Sequence, residues 1–173
     1  FGENYLMTSA THLCGTDRCA EAAALLGNRF DFVVNIQGDE PFIEPKQIDD
    51  LVAQLSHETE ILTHKRAIKT LEDLGKNSIV KVVTNPTTDH AIYFSRQPIP
   101  YIRDKPMSEW LTATTFWEHV GIYAFRNDIL QKIATLHPTH TEQLEKIELL
   151  RWIENEIKIK ILETNYHSIS VDT

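Results

Sequence analysis

Val33-Val34-Asn35-Ile36-Gln37-Gly38-Asp39-Glu40-Pro41 is the stretch where an apolar run breaks into a turn carrying two carboxylates. Phe32 to Ile36 is short and rich in β-branched residues, which is how a buried strand of a parallel sheet reads. Gly38 and Pro41 then end it. In open α/β sheets, ligands bind in the crevice beyond the carboxyl ends of the strands. Asp39 is thereby delivered to the place where such a fold does its chemistry. A carboxylate near a triphosphate suits Mg²⁺, a hard cation that shares oxygen ligands with phosphates. Spacing alone leaves open a second reading, in which Asp39 or Glu40 caps the helix starting near Pro45.

Outward from this stretch, the pattern alternates strands and helices. Thr16 or Asp17 can cap a helix with Cys19, Ala22, Ala23 and Leu26 on its apolar side, ended by Gly27. Pro45 suits a first helical position, and Ile48, Leu51, Val52 and Leu55 form the stripe behind it. Strands are expected over 61–67, 79–84, 91–95, 116–125 and 157–162, with a further strand from His167 to Val171. Thr70 to Leu74 reads as a helical turn. Ile129, Leu130, Ile133 and Ala134 mark one helix. A second, capped by Thr139 or Thr141, runs to about Asn155 with Leu144, Glu148 and Trp152 on one face. Residues 104–114 read as irregular, a candidate flap, with Trp110, Phe116 and Trp117 going either to the core or to an interface. The expected fold is α/β: one domain over 1–173, with a mixed, mostly parallel sheet flanked by helices, like a Rossmann nucleotidyltransferase.

The totals narrow the function. A chain of 173 residues with 42% hydrophobic and 24% charged residues is an ordinary globular domain. Its formal charge of −8 argues against a nucleic-acid partner, which needs a basic stripe. No apolar stretch approaches the roughly 20 residues of a membrane helix, so no membrane insertion is expected. Cys14 and Cys19 suit neither a metal cluster nor a disulfide framework, and a cytoplasmic protein with reduced thiols is the expectation.

Three further groupings point to chemistry. Arg96 and Arg103 bracket Pro98-Ile99-Pro100-Tyr101, and two guanidinium groups on a stiff loop suit a carboxylate; two solvated surface arginines are the alternative. On the strand 116–125, alternation puts His119, Gly121 and Tyr123 on one face, with the glycine leaving room for a ligand, while a core histidine is the plainer reading. Glu148 sits inside an apolar stripe, unusual for a carboxylate unless it is paired or functional.

The stretch Val34 to Ile43 also resembles the signature of bacterial 3-deoxy-manno-octulosonate (Kdo) cytidylyltransferases, the CMP-Kdo synthetases. The resemblance continues through Thr8-Ser9-Ala10-Thr11-His12, Gly15-Thr16-Asp17-Arg18, Val80 to Val83, Tyr93 to Tyr101, His119 to Tyr123 and Val171-Asp172-Thr173. It implies transfer of CMP from CTP to the acid sugar Kdo, with pyrophosphate released, for lipopolysaccharide synthesis. It implies Mg²⁺ held by Asp39 and Asp172, which would be the catalytic pair. It places Arg96, Arg103, His119, Tyr123 and Glu148 on the sugar, His12, Gly15 and Thr16 on the nucleotide, and Gln37 as a candidate nucleoside contact. A homodimer is implied as well. The family pattern has Ser where this chain has Cys14, Gln where it has Leu149 and Gly where it has Ser170. The Leu149 difference keeps open a related acid sugar, such as the 8-amino analogue of Kdo or a sialic acid. No stretch matches the family's glycine- and lysine-containing loop, so the chain is expected to be a fragment lacking that loop unit and the last helix. If it were complete, a non-catalytic protein binding a nucleotide or sugar acid would be the rival reading.

Overall fold

The computed structural model describes residues 5–12, 14–38 and 42–166. Among these, six strands form one sheet: β1 (Phe32–Asn35), β2 (Ile61–Ala67), β3 (Lys81–Thr84), β4 (Ala91–Ser95), β5 (Trp117–Arg126) and β6 (Ile159–Glu163). The helices are α1 (Gly15–Leu25), α2 (Pro45–Ala53), α3 (Leu71–Gly75), α4 (Trp110–Ala113), α5 (Asn127–Ile133), α6 (His140–Glu145) and α7 (Glu148–Glu154).

Strand β5 is the spine. One edge pairs with β2 along nearly its whole length, and the other is shared by β1 and β3, all three antiparallel. Beyond β2 lies β6, parallel to it, and beyond β3 lies β4, antiparallel. The mixed sheet flanked by helices is as expected, but the ladder is less parallel than expected. β1, β2, β3 and β6 do run the same way, yet β5 runs against them and lies between. Of the five strand pairings described, only β2 with β6 is parallel.

Alternation along β5 sorts the core. Tyr123 and Phe125 face a cluster with Ala20 and Ala23 of α1, Ile129, Leu130 and Ile133 of α5, and Leu149, Leu150 and Trp152 of α7. Ile122 and Ala124 face the opposite side, where Leu51 of α2 and Leu62 close a second cluster. Tyr123, Phe125 and Trp152 form an aromatic trio with ring centroids 5.5–5.8 Å apart. A third cluster, Ile68, Leu74, Trp110 and Phe116, covers one end.

The sequence expectation needs correcting at several places. α1 and α2 are each rolled slightly about their axes. Thr16, Ala20 and Ala23 face inward on α1, and Gln47 and Leu51 on α2, while Leu26 and Val52 are exposed. The helix expected to run to Asn155 is two helices. Lys146 adopts a left-handed φ of 54°, and the Glu145 carboxylate is drawn off to accept from the Ser95 hydroxyl (2.7 Å) and the Arg96 N–H (2.9 Å). Leu144 is accordingly exposed rather than on a face with Glu148 and Trp152. The expected flap is anchored instead: Trp110 is 6% exposed, stacks on Phe116 at 5.7 Å and donates to the Lys105 carbonyl. The expected strand from His167 to Val171 lies outside the described residues.

Two buried polar groups test the packing. Lys81 is fully buried, and its ammonium donates to the carbonyls of Lys76 (2.7 Å), Ile79 (3.0 Å) and Arg96 (2.9 Å). Burial, then the nearby Arg96, lowers its pKa, so these carbonyls are what hold the charge. Lys81→Met takes a donor from each of the three, the Lys76 carbonyl keeping the Ile79 N–H (3.2 Å), and urea unfolding should show a loss of about 2–4 kcal/mol. His64 is 1% exposed, with neither ring nitrogen hydrogen-bonded among the described residues. Burial lowers its pKa from 6.5, against a weaker opposing pull from Asp50. The unfolded chain therefore takes up the proton first as pH falls, and stability drops below about pH 6.5 by up to ~1.4 kcal/mol per pH unit from this group. Unfolding curves at pH 7, 6 and 5 should show His64→Gln flattening that slope; identical slopes would assign the titration elsewhere.

Candidate active site

β1 ends at Asn35, and the chain turns over the carboxyl end of the strand at Ile36, Gln37 and Gly38. The N-terminus of α1 meets it there. Between them opens a cleft of about 560 Å³, lined by Cys14, Gly15, Thr16, Arg18, Cys19, Asn35, Ile36, Gln37, Gly38, Tyr123 and Glu148. A second hollow on the far side of Cys14 and Glu148 extends it toward Asp17, Pro138, Glu142, Lys146 and Arg151. The first turn of α1 presents backbone N–H groups to this space, an arrangement that favours anions, and Arg18 adds a cation at its rim.

Glu148 ties the site together. It sits on the first turn of α7, three-quarters buried, and reaches across to α1. One carboxylate oxygen accepts from the Cys14 thiol (3.2 Å) and the Arg151 guanidinium (2.8 Å), and the other accepts from the Thr16 hydroxyl (2.9 Å). Burial raises its pKa, and these donors together with the Arg151 charge pull the other way. The Cys14 thiol is pushed up to about 12, first by burial and also by the Glu148 charge, so it stays protonated and donates. Arg151 lies beneath, 3.5 Å from the Glu142 carboxylate, and donates to the Leu136 carbonyl.

The β5 wall is built by a bulge. Thr63 pairs with Tyr123, but its neighbour His64 pairs with Val120, so Gly121 and Ile122 are extra on β5. The Thr63 hydroxyl bonds the carbonyls of Val120 (3.0 Å) and Ile122 (2.7 Å) that the bulge frees. With its one proton so directed, Thr63 accepts from His119 Nε2 at 3.2 Å. His119 packs against Phe94 and Tyr123, and burial holds its pKa down at about 3, so it is a neutral imidazole. Tyr123, also buried, keeps its phenol proton.

Of the residues singled out in the sequence, Gly15, Thr16, Gln37, Tyr123 and Glu148 are brought together. His119 stands behind Tyr123 rather than in the cleft lining. The room expected at Gly121 is taken by Gln37, whose amide nitrogen lies 3.1 Å from where a Cβ would be. His12 turns to Glu21, with Nε2 and the carboxylate 2.5 Å apart. Arg96 is not free for a ligand fork: it donates to the carbonyls of Glu145, Asn77 and Lys146. Arg103 is 92% exposed, 4.0 Å from Asp104. Asp39 and Asp172 lie outside the described residues. Leu149 is buried in the core cluster and offers the cleft nothing. Sequence reasoning missed Arg151 as the partner of Glu148, although the i, i+3 spacing was available. It also missed Cys14 as a donor and Asn35 as part of the lining.

Among the described residues, Cys14, Asp17 and Glu148 are the trio close enough to share a metal ion. Their chemistry does not suit Mg²⁺. One ligand would be a protonated thiol, and the Glu148 oxygens are already engaged. Also among the described residues, no helix is long and apolar enough to cross a membrane.

Comparison with known proteins bears on this cleft. The family model described as "Cytidylyltransferase" matches residues 1–159. A 3-deoxy-manno-octulosonate cytidylyltransferase of Geotalea uraniireducens is 44% identical over all of this chain and 70% of its own length. One from Parabacteroides distasonis is 42% identical with the same coverage. A solved structure of CMP:2-keto-3-deoxy-manno-octonic acid synthetase complexed with CTP superposes with a TM-score of 0.86 at 36% identity, covering 97% of this chain and 66% of that one. The chain belongs to the cytidylyltransferase family, among the 3-deoxy-manno-octulosonate cytidylyltransferases.

Proposed function

We propose that this chain carries out CMP transfer from CTP to Kdo. The anomeric hydroxyl of the sugar attacks the α-phosphorus, a new P–O bond forms, the bond to the β-phosphate bridge breaks, and pyrophosphate leaves. The carrying observation is that Gly15, Thr16, Gln37, Tyr123 and Glu148, which the family resemblance puts on the two substrates, line one cleft.

The described residues bind and orient. The first turn of α1 and Arg18 are suited to the phosphates. Glu148, held by Thr16, Cys14 and Arg151, keeps a carboxylate at a fixed place beside them, where it can accept from sugar hydroxyls. Tyr123 offers a phenol that stays protonated and can donate. Neutral His119 fixes the wall behind it. Asp39 and Asp172 are proposed to hold the Mg²⁺. That ion would supply charge neutralisation at the phosphates. A homodimer in the cytoplasm is part of the same proposal.

A second reading keeps the fold and the nucleotide and changes the sugar. It is favoured by the burial of Leu149 in the core, which removes an amide from the sugar side.

The deciding assay is pyrophosphate release by the full-length protein with Mg²⁺, each of the four nucleoside triphosphates, and Kdo, its 8-amino analogue or a sialic acid. Release with CTP and Kdo alone is expected; release only with another acid sugar would favour the second reading. The two arginines should separate. Arg103→Ala, at an exposed site, should leave Tm unchanged and raise the KM for the sugar more than that for CTP. Arg96→Ala should lower Tm by several degrees, because three carbonyls lose their donor. A Tm loss for Arg103→Ala, or none for Arg96→Ala, would reverse these assignments.

A further inference from the structure

Residues 5–12 form neither helix nor strand and, among the described residues, make no backbone–backbone hydrogen bond. What ties this segment to the rest of the molecule is one edge of α1. Arg18 Nη1 donates to the Thr8 hydroxyl (3.2 Å) and to the Ser9 carbonyl (3.0 Å). One turn further along, a single Glu21 carboxylate oxygen accepts from the Ser9 N–H (2.8 Å) and meets His12 Nε2 at 2.5 Å. Ser9 is thereby gripped on both sides of its backbone, its N–H by Glu21 and its carbonyl by Arg18. The Ser9 bond, and after it the His12 bond, holds the Glu21 carboxyl below the usual carboxylate range, so it stays ionised and keeps accepting.

Arg18 is the link to the cleft. Its side chain is exposed and lines the 560 Å³ space, whereas Glu21 is not part of that lining. A long arginine loses rotamer freedom when it grips a phosphate, and a guanidinium already held in place loses less. With Nη1 engaged by the segment, Nε and Nη2 are left to turn toward a ligand.

We propose that Glu21 is a positioning residue for the triphosphate end of CTP. It fixes Ser9, and Ser9 fixes the guanidinium of Arg18 at the rim of the cleft. This inference rests on the reading of that cleft as the CTP site.

The test is a double-substitution cycle in the full-length protein, with Glu21→Ala and Arg18→Ala alone and together. Calorimetric titration with CTP and Mg²⁺ reads the affinity, and steady-state pyrophosphate release gives a KM for each substrate. Glu21→Ala should weaken CTP binding about fivefold and raise its KM in step, with kcat and the KM for the acid sugar within about twofold of their starting values. A substitution that merely loosened the fold would move all of these. In the Arg18→Ala background the same change should alter CTP affinity by less than about twofold. Glu21→Gln keeps an oxygen for the Ser9 N–H and should bind CTP within about twofold of the unsubstituted protein. An equal loss in both backgrounds would route the effect through His12 or elsewhere and overturn the proposal. So would a loss confined to the sugar, or a Glu21→Gln as weak as Glu21→Ala. If the unsubstituted protein binds no CTP, the reading of the cleft fails and takes this inference with it. If it binds CTP and Glu21→Ala binds it equally well, only the inference fails.

Discussion

Strand β5 has to satisfy three neighbours at once, and the rest of the molecule is arranged around how it does so. It runs against all three strands that it pairs with, β1, β2 and β3. Its length lets β1 and β3 share one edge. Two residues too many on β5 relative to β2 force the bulge, and the bulge frees two carbonyls that the Thr63 hydroxyl gathers. From that follow the donor state of His119, the seat of Tyr123 and the close approach of the Gln37 amide to Gly121.

The second organising contact is electrostatic. A carboxylate three-quarters out of water needs donors, and Glu148 finds them at the start of α1, remote in sequence, and on its own helix. Thr16 and Cys14 belong to the start of α1, and Arg151 belongs to the next turn of α7. The same contacts that stabilise the charge therefore set the distance between the two helices, and with it the width of the cleft. A protonated phenol and a protonated thiol feel the charge of this carboxylate, a neutral histidine stands behind the phenol, and burial is the first cause of all three states.

Much of this was legible in the sequence, and the parts that were not share a cause. Strands β2, β4 and β5 fall within a residue of where alternation puts them, because period-two patterning is local. The inward faces of α1 and α2 were off by a residue or so, because polar Thr16 and Gln47 face inward and break the apolar stripe. The break at Lys146 carries no glycine or proline; it depends on Glu145 being pulled toward Ser95 and Arg96, a contact across 50 residues. The cleft lining was legible at Gln37 beyond a strand end, at Tyr123 on the β5 face and at Glu148 in an apolar stripe, all three of which line it. The place of Arg96 was not legible, since nothing local to Arg96 says that its guanidinium will be absorbed by distant carbonyls.

That clasp has an evolutionary consequence. Arg96 ties its own segment to the backbone at Asn77 and at the adjacent Glu145 and Lys146, stretches far apart in chain order. Any lineage that altered this arginine to suit a new ligand would loosen the frame in the same step, whereas Arg103, out in solvent, can change without that penalty. Diversification of this scaffold should thus run through its exposed cation, with the clasped one inherited unchanged.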